Sequence, residues 1–240
     1  MSRPSPHRGV ALLSLALIAL IALIALLAGC GSSSPSGNGV ASKTPTQIVA
    51  AAKAAAAGAA TVHVAGTIVD EGKPISLNME LEAGKGGKGT IALEGLSIQL
   101  VQISGTVYIN GSDAFYRHVA GAAAAQLLRG KWLKAPASGG NFSSLASLTD
   151  LSKLIDTTLA AHGALTGAGT RTVNGQKAVG VTDKAKGGTL YVASTGAAYP
   201  LEIAKSGPSG GSIVFDRWNK PVTLIAPAGA ININQLQSGH

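Results

Sequence analysis

Aromatic residues, charged residues and cysteine are all scarce in this sequence of 240 residues. Aromatics make up 4% of it and charged residues 12%, while cysteine occurs once. A single cysteine excludes an internal disulfide framework and a cysteine-based zinc cluster. Nucleic-acid binding needs a basic patch and stacking side chains, whereas the basic residues here are scattered. We therefore predict no nucleic-acid partner.

Patterns typical of catalysis and metal binding are also missing. His63, His118 and His162 are not at metal-ligand spacing from one another. Residues 84–89 carry alternating glycines and residues 207–211 have the spacing of a nucleophile elbow, but both motifs need a helix to follow, and strands are predicted there. The carboxylates form no close pair in a pattern typical of acid–base catalysis. The sequence predicts no enzyme, no catalytic residue, no metal site and no cofactor.

The N-terminal segment has the layout of an export signal. Arg3 and Arg8 precede residues 10–28, which carry no charge. This run is also long enough to span a bilayer, so its length alone leaves a retained transmembrane anchor open. Residues 27–30 read Leu-Ala-Gly-Cys, which resembles the lipobox of bacterial lipoproteins, where the cysteine thiol takes a diacylglycerol before cleavage. We predict a lipoprotein signal peptide over residues 1–29 and lipidation of Cys30.

Lipidation of Cys30 would leave a mature chain of 211 residues held on the membrane. Each buried methylene contributes about 0.8 kcal/mol, and two or three acyl chains exceed what stable anchoring requires. We predict an acylated cysteine and flexible tether over residues 30–44, and a single domain over residues 45–240. Loss of Arg3 and Arg8 lowers the net charge from +8 to +6, which still favours anionic lipid headgroups. The expected location is the outer face of the cytoplasmic membrane, in the cell envelope.

The hydrophobic pattern predicts a helix, several strands, a helical insertion and several more strands. Thr44, Pro45 and Gly58 mark the start and end of an Ala-rich first helix, and residues 121–129 and 143–162 are helical, with a break near Thr149. Strands are predicted at residues 62–68, 75–82, 91–93, 96–100, 107–109, 115–116, 170–173, 178–182, 189–193, 201–204, 212–215 and 222–225, with turns near Gly95, Gly105 and Gly111. This order predicts an α+β fold with a mostly antiparallel sheet, one face of which is covered by a few helices.

Short motifs spread over nearly all of the mature chain carry a resemblance to a known family. They are Thr44-Pro45-Thr46, Val62-His63-Val64-Ala65-Gly66-Thr67, Val107-Tyr108-Ile109-Asn110-Gly111, Lys131-Trp132-Leu133, Tyr199-Pro200-Leu201-Glu202-Ile203 and Phe215-Asp216-Arg217-Trp218-Asn219-Lys220-Pro221-Val222. The sequence resembles the actinobacterial lipoproteins LppX, LprA, LprF and LprG, relatives in fold of the periplasmic carrier LolA. The resemblance implies a half-barrel sheet wrapped around helices, and an apolar cavity that holds acylated lipids or glycolipids in characterised relatives. This sequence departs from the family in being richer in glycine and alanine and poorer in aromatics.

Two sets of apolar residues are the predicted cavity lining, one on strands and one on a central helix. They are Leu77, Met79, Leu81, Ile91, Leu93, Ile98 and Leu100, followed by Leu151, Ile155 and Leu159. They favour an anchored lipoprotein that binds or carries a lipid or acylated glycolipid, although the same residues also fit a closed core. The alternative is a non-enzymatic binding or sensory module with a closed core, acting on an unidentified protein partner through Trp132, Trp218 and Tyr116.

Overall fold

A computed structural model describes residues 37–139, 142–160 and 163–237. The predicted signal peptide, Cys30 and His162 lie outside the described residues. The helices are α1 (Pro45–Ala57), α2 (Asp113–Leu128), α3 (Phe142–Leu148), α4 (Leu151–Thr158) and α5 (Ile233–Gln237). The strands are β1 (Thr61–Asp70), β2 (Lys73–Glu82), β3 (Gly86–Leu93), β4 (Leu96–Ile103), β5 (Thr106–Gly111), β6 (Leu133–Pro136), β7 (Leu165–Val173), β8 (Gln176–Asp183), β9 (Gly188–Ala193), β10 (Pro200–Lys205), β11 (Gly211–Asp216) and β12 (Ile231–Asn232).

All the strands of the described chain join one curved sheet in the order β12-β6-β5-β4-β3-β2-β1-β11-β10-β9-β8-β7. The neighbouring strands pair antiparallel, except that β12 lies parallel to β6. The sheet does not close, because β12 and β7 form its two edges. The prediction of an α+β fold with a curved, mostly antiparallel sheet is confirmed.

Strand alternation gives the sheet an inner face that packs on the helices. Val64 lies opposite Met79 in the β1–β2 pair and opposite Phe215 in the β1–β11 pair, so all three side chains share this face. All three are also buried. The outer face carries polar residues such as His63, whose ring nitrogens lie 2.6 Å from Asp216 Oδ1 and 3.0 Å from Asn78 Oδ1. The apolar core therefore sits between the inner face and the helices.

Helix α1 begins where the sequence predicts, because Thr44 and Gln47 form a capping box at its N-terminus. The Thr44 hydroxyl accepts a hydrogen bond from the Gln47 backbone N–H, and the Gln47 side chain accepts one from the Thr44 N–H. Pro45 occupies the first helical position, where its missing N–H costs nothing. The buried side of the helix is Ile48, Ala52 and Ala56, and it packs over β7–β10 and against α4.

Residues 37–44, which fall in the predicted tether, make contacts with the sheet in the structure. Gly37 forms a β-bridge with Thr195, and the Asn38 side-chain amide donates to the Ala193 carbonyl at 2.9 Å. Val40 is only 1% exposed. Residues 37–44 therefore contact the sheet, and the division of the chain into a tether and a domain stays a prediction. The sequence gives no sign of this contact, because Gly37 and Asn38 are typical linker residues.

Two predicted strands have a different structure. Residues 115–116 lie in α2, which begins at Asp113 rather than residue 121, because the Ser112 hydroxyl accepts the Phe115 N–H and caps the helix. Gly121 interrupts α2 with a φ of 84°. Residues 222–225 form no strand and pair with no strand of the sheet. They instead belong to an extended segment that crosses the outer face.

The crossing segment, residues 217–230, links β11 to the far edge of the sheet. The Asn219 N–H donates to the Thr61 carbonyl at the start of β1, and Lys88 Nζ on β3 donates to the Thr223 carbonyl at 3.0 Å. The Ile231 N–H then donates to the Trp132 carbonyl beside β6. The segment thereby covers the outer face of β1–β6.

The helical insertion divides as predicted. Thr149, which is fully buried, separates α3 from α4, and the Asp150 carboxylate accepts the Lys153 N–H to cap α4. Among the described residues, no helix combines the length and the apolar character that a membrane crossing needs.

Candidate functional site

An apolar cavity of about 560 Å³ lies between the helices and the inner face, at one end of the sheet. Its walls come from α1, the C-terminal end of α4 and strands β7–β11, with one contribution from β1. The apolar lining residues are Val49, Ile68, Leu159, Leu165, Val181, Leu190, Ile203 and Ile213. A cavity of this size is typical of sites for small molecules.

The floor of the cavity is a row of apolar side chains that runs across four strands. The register places Val181 opposite Leu190, Leu190 opposite Ile203, and Ile203 opposite Ile213. All four therefore point to the inner face, since partners in neighbouring strands share a face. The next strand, β1, has Gly66 opposite Ile213, so the apolar row stops there.

In the next row of residues across the sheet, glycines leave the inner face without bulky side chains. Gly188 and Gly211 both lie opposite Lys205, one on each side of it. A Cβ at Gly188 would meet nothing within 4 Å, so the space above this residue is empty. Gly211 has a φ of 145°, and a Cβ there would overlap the Thr67 carbonyl oxygen on β1. One glycine is thus required by the close approach of β1 and β11, while the other leaves room inside the cavity.

The cavity has a polar rim at the end of the strands. It includes Asp183, Lys186, Lys205 and Ser209. The Asp183 carboxylate oxygen Oδ1 accepts the backbone N–H groups of Ala185 at 2.8 Å and Lys186 at 3.2 Å, so it caps the β8–β9 turn. Among the described residues, neither Lys186 nor Lys205 has a carboxylate within 4.0 Å of its Nζ. The cavity can therefore bind a molecule whose apolar part lies inside it and whose polar part lies at the rim.

The predicted lining residues reach the inner side of the fold, but most of them lie in the filled half. Leu159 lies on the cavity wall. Met79, Leu81, Leu100, Leu151 and Ile155 are buried in the main core. Leu77 and Ile91 pack against that core, Ile98 is half-buried, and Leu93 at the end of β3 is 36% exposed. A ligand contact at any of the ten stays a prediction.

The structure also shows why the first half of the sheet has less room. Helices α3 and α4 lie over it, and a Cβ at Gly87 would come within 2.6 Å of Leu81 Cδ2 and 3.4 Å of Thr149 Cβ. The cavity residues on β8–β11 belong to strands that the sequence predicts correctly. What the sequence does not show is that the small side chains of α1 and the glycine at Gly188 leave that half unfilled.

The three aromatic residues of the alternative prediction differ in their surroundings. Tyr116 is 1% exposed, and its hydroxyl accepts the Gly111 N–H at 3.0 Å. Burial raises the pKa of the Tyr116 phenol above its ordinary 10.0, against the opposing effect of that hydrogen bond. Trp218 stacks on Tyr199 at 4.6 Å between ring centroids. Trp132 is half-buried and borders a shallow cleft on the outer face.

A larger cleft of about 660 Å³ lies at the opposite end of the strands and has a different lining. Polar side chains dominate it, including Glu82, Lys85, Gln102, Asp150 and Lys153. It lacks the continuous apolar wall that an acyl chain needs. In the part of the chain that the structure describes, no group of three potential metal ligands is close enough to hold an ion.

Comparisons with known proteins support the fold. No protein-family model matches the sequence, and no curated protein matches it. The structure is similar to LprF from Mycobacterium bovis, with a TM-score of 0.51 and 17% sequence identity over 77% of this chain and 97% of LprF. It is also similar to the lipoprotein LppX from Mycobacterium tuberculosis, with a TM-score of 0.50 and 17% identity over 75% of this chain and 98% of LppX. At this identity the likeness shows the fold, and the predicted half-barrel architecture is confirmed.

Proposed function

We propose that this chain, which has the fold of LprF and LppX, is an envelope lipoprotein that binds the acyl chain of a lipid or glycolipid. The observation that carries the proposal is the apolar cavity of about 560 Å³ beneath α1 and α4. Its floor is apolar and its rim is polar, which suits an amphiphile with its tail inside. The fold alone does not specify a ligand, so the proposal depends on this cavity.

Transfer energies make the binding of an acyl chain feasible. Each methylene that leaves water contributes about 0.8 kcal/mol, so about 12 buried methylenes contribute roughly 10 kcal/mol. Association costs at least about 4 kcal/mol in lost translation and rotation, and ordering of the chain adds to this. The surplus of about 6 kcal/mol or less corresponds to a Kd of tens of micromolar or weaker. This is suited to a protein that takes up and releases its ligand.

The membrane anchor is part of the same proposal. It rests on the lipobox-like residues 27–30, and LppX is itself described as a lipoprotein. The first described residue, Gly37, forms a β-bridge with Thr195 and lies seven residues after Cys30. At about 3.3–3.6 Å per residue, a chain of seven spans at most about 25 Å. An acylated Cys30 would therefore hold the folded part close to the membrane surface of the envelope.

Lipid extraction of the full chain tests the cavity. The chain is purified in an amphipathic polymer, because a detergent tail would compete for the site. We expect organic extraction and mass spectrometry to find an acyl lipid in about equimolar amount beyond the covalent anchor. The Gly188→Phe variant fills the cavity and should lose that lipid. An equal lipid content in the two proteins, or none in either, would contradict the proposal.

Metabolic labelling tests the anchor separately. The parent should incorporate a labelled fatty acid that survives denaturation, and Cys30→Ser should incorporate none. Because Ser differs from Cys by one atom, export of the chain should be preserved. If the parent protein incorporates no labelled fatty acid, the proposal that Cys30 is lipidated is wrong. The proposal that the cavity binds lipid is tested separately, by the lipid extraction.

The module that binds a protein partner has less support. Tyr116 is buried and Trp218 is stacked on Tyr199, so two of its three aromatic anchors already serve the fold. Trp132 by itself does not form an aromatic cluster of the kind that dominates interfaces. We therefore do not propose a second function.

A further inference from the structure

We propose that the cavity selects a single-chain amphiphile with an anionic headgroup, which Lys186 and Lys205 hold at the rim. This inference rests on the proposed function, and it names the class of ligand. It is carried by the position of the two lysines, by their lack of ionic partners and by the size of the cavity.

The fold brings the two lysines to the same part of the rim. Lys205 ends β10 on the inner face, opposite both Gly188 and Gly211, and Lys186 lies in the turn between β8 and β9. Lys205 Cε lies 4.0 Å from the Cβ position of Gly187, the residue that follows Lys186. The Lys205 side chain therefore passes beside the β8–β9 turn.

Both ammonium groups are available to a ligand. Five lysines of the described chain have a carboxylate within 4.0 Å of the ammonium group, as in the pairs Lys85–Glu82 at 2.6 Å and Lys88–Glu80 at 3.3 Å, and the others have none. Lys186 and Lys205 have no such partner among the described residues. The carboxylate on this rim, Asp183, accepts two backbone N–H groups of its own turn. Among the described lining residues, two lysines and one aspartate leave a net charge of +1 at the rim.

The cavity volume favours one acyl chain. A methylene group is similar in size to a water molecule, which occupies about 30 Å³ in the liquid. The 560 Å³ of the cavity therefore accommodates on the order of 20 such groups, by the same packing volume. This number of methylene groups corresponds to one long acyl chain. A second chain would lie outside the cavity, where its methylenes would stay in contact with water.

The test compares three probes that differ in charge and chain number. They are palmitate, neutral monopalmitoylglycerol and dipalmitoylphosphatidylglycerol, each supplied at the same low mole fraction in neutral phosphatidylcholine vesicles. The measurement is the distribution of each probe between the vesicles and the full chain held in amphipathic polymer. Palmitate should bind about 3- to 30-fold more tightly than monopalmitoylglycerol at low salt, because each partly exposed charge pair contributes up to about fivefold. The advantage should shrink as NaCl is raised, since salt screens exposed charges.

Variants that remove the charges of Lys186 and Lys205 test whether these two lysines cause the preference for palmitate. Lys186→Gln combined with Lys205→Gln should weaken palmitate binding about 3- to 30-fold and leave monopalmitoylglycerol binding unchanged. The matched control is Lys177→Gln combined with Lys220→Gln, which removes the same charge from exposed positions away from the cavity. The control should bind palmitate like the parent.

The outcomes separate the two proposals. Equal affinities for palmitate and monopalmitoylglycerol, both lost in Gly188→Phe, would overturn the role of the lysines and leave acyl-chain binding intact. Tighter binding of the two-chain lipid would overturn the single-chain preference. If no probe binds, the proposed function and this inference both fall.

Discussion

Gly188→Phe is the substitution that most directly tests the cavity as a binding site. Gly188 lines the cavity on β9, and a Cβ at this position would meet nothing within 4 Å. Its φ lies outside the left-handed region that favours glycine, so a larger residue fits the backbone. A phenyl ring should therefore enter the cavity without displacing the strands.

The size of the effect follows from the volume that the ring takes. A phenylalanine side chain has seven carbon atoms, against room for on the order of 20 methylene-sized groups. If about seven methylenes of a ligand lose their place, up to about 5–6 kcal/mol of transfer energy is lost. Some displaced methylenes will find partial cover at the rim, so we expect palmitate to bind at least about 100-fold more weakly, equivalent to about 2.7 kcal/mol.

Chain length provides an internal control. Octanoate needs only part of the cavity, so its weaker affinity should change by less than about threefold in Gly188→Phe. Gly188→Ala adds one carbon and should bind both acids nearly as the parent does. We also expect neither variant to melt at a lower temperature, because glycine within a strand costs about 0.5–1 kcal/mol relative to alanine. Calorimetric titration and thermal melts measure both quantities.

Two results would refute this reasoning. Unchanged palmitate affinity in a folded Gly188→Phe protein would show that the acyl chain binds elsewhere. An equal loss for octanoate and palmitate would show that the ring disturbs the site as a whole instead of shortening it.

The remaining predictions concern the stability of the fold. Tyr116→Phe removes the hydroxyl that accepts the Gly111 N–H and should cost about 1–2 kcal/mol at pH 8 in urea unfolding. Burial raises the pKa of the Tyr116 phenol, so its contribution to the free energy of unfolding is present below pH 10 and is lost as the pH rises through the pKa of the folded state. Tyr116→Phe should therefore lose less stability than the parent protein between pH 9 and 11. Equal losses in the two proteins would contradict this. Arg171→Ala should destabilise the protein by about 2–3 kcal/mol, since it leaves Glu202, which is 9% exposed, without its ionic partner. Arg117→Ala, at an exposed position, is the control and should stay within about 0.5 kcal/mol of the parent.

The fold could be predicted from the sequence where the signals are local. The Thr44 cap, the alternating residues of β2 and the Asp150 cap each specify an element through neighbouring residues, and the structure has these elements in place. Phe115 and Tyr116 were predicted wrongly, because two adjacent aromatics favour a strand. The Ser112 cap and the burial of the Tyr116 ring outweigh that preference.

The cavity was harder to predict, because it depends on the relation between distant parts of the chain. Alternation puts Leu81 and Leu190 on the same inner face, and both are buried in the main core, but only the helices above them decide which of the two also borders the cavity. The covering residues near Leu190 are Val49 and Leu159, separated from it by over 30 residues of sequence. No local pattern reports an empty volume. The contact of Gly37 with Thr195 was missed for the same reason.

The pairing of β12 with β6 makes the far edge of the sheet depend on residues late in the chain. Ile231 lies opposite Leu133, nearly a hundred positions earlier, and the segment before it must first cross the outer face. A chain cut by a protease anywhere within residues 217–230 would lose this strand. The backbone N–H and C=O groups of β6 that face away from β5 would then be unpaired, and such an edge is a template for joining a second molecule. Clipped molecules of this protein should therefore be prone to self-association.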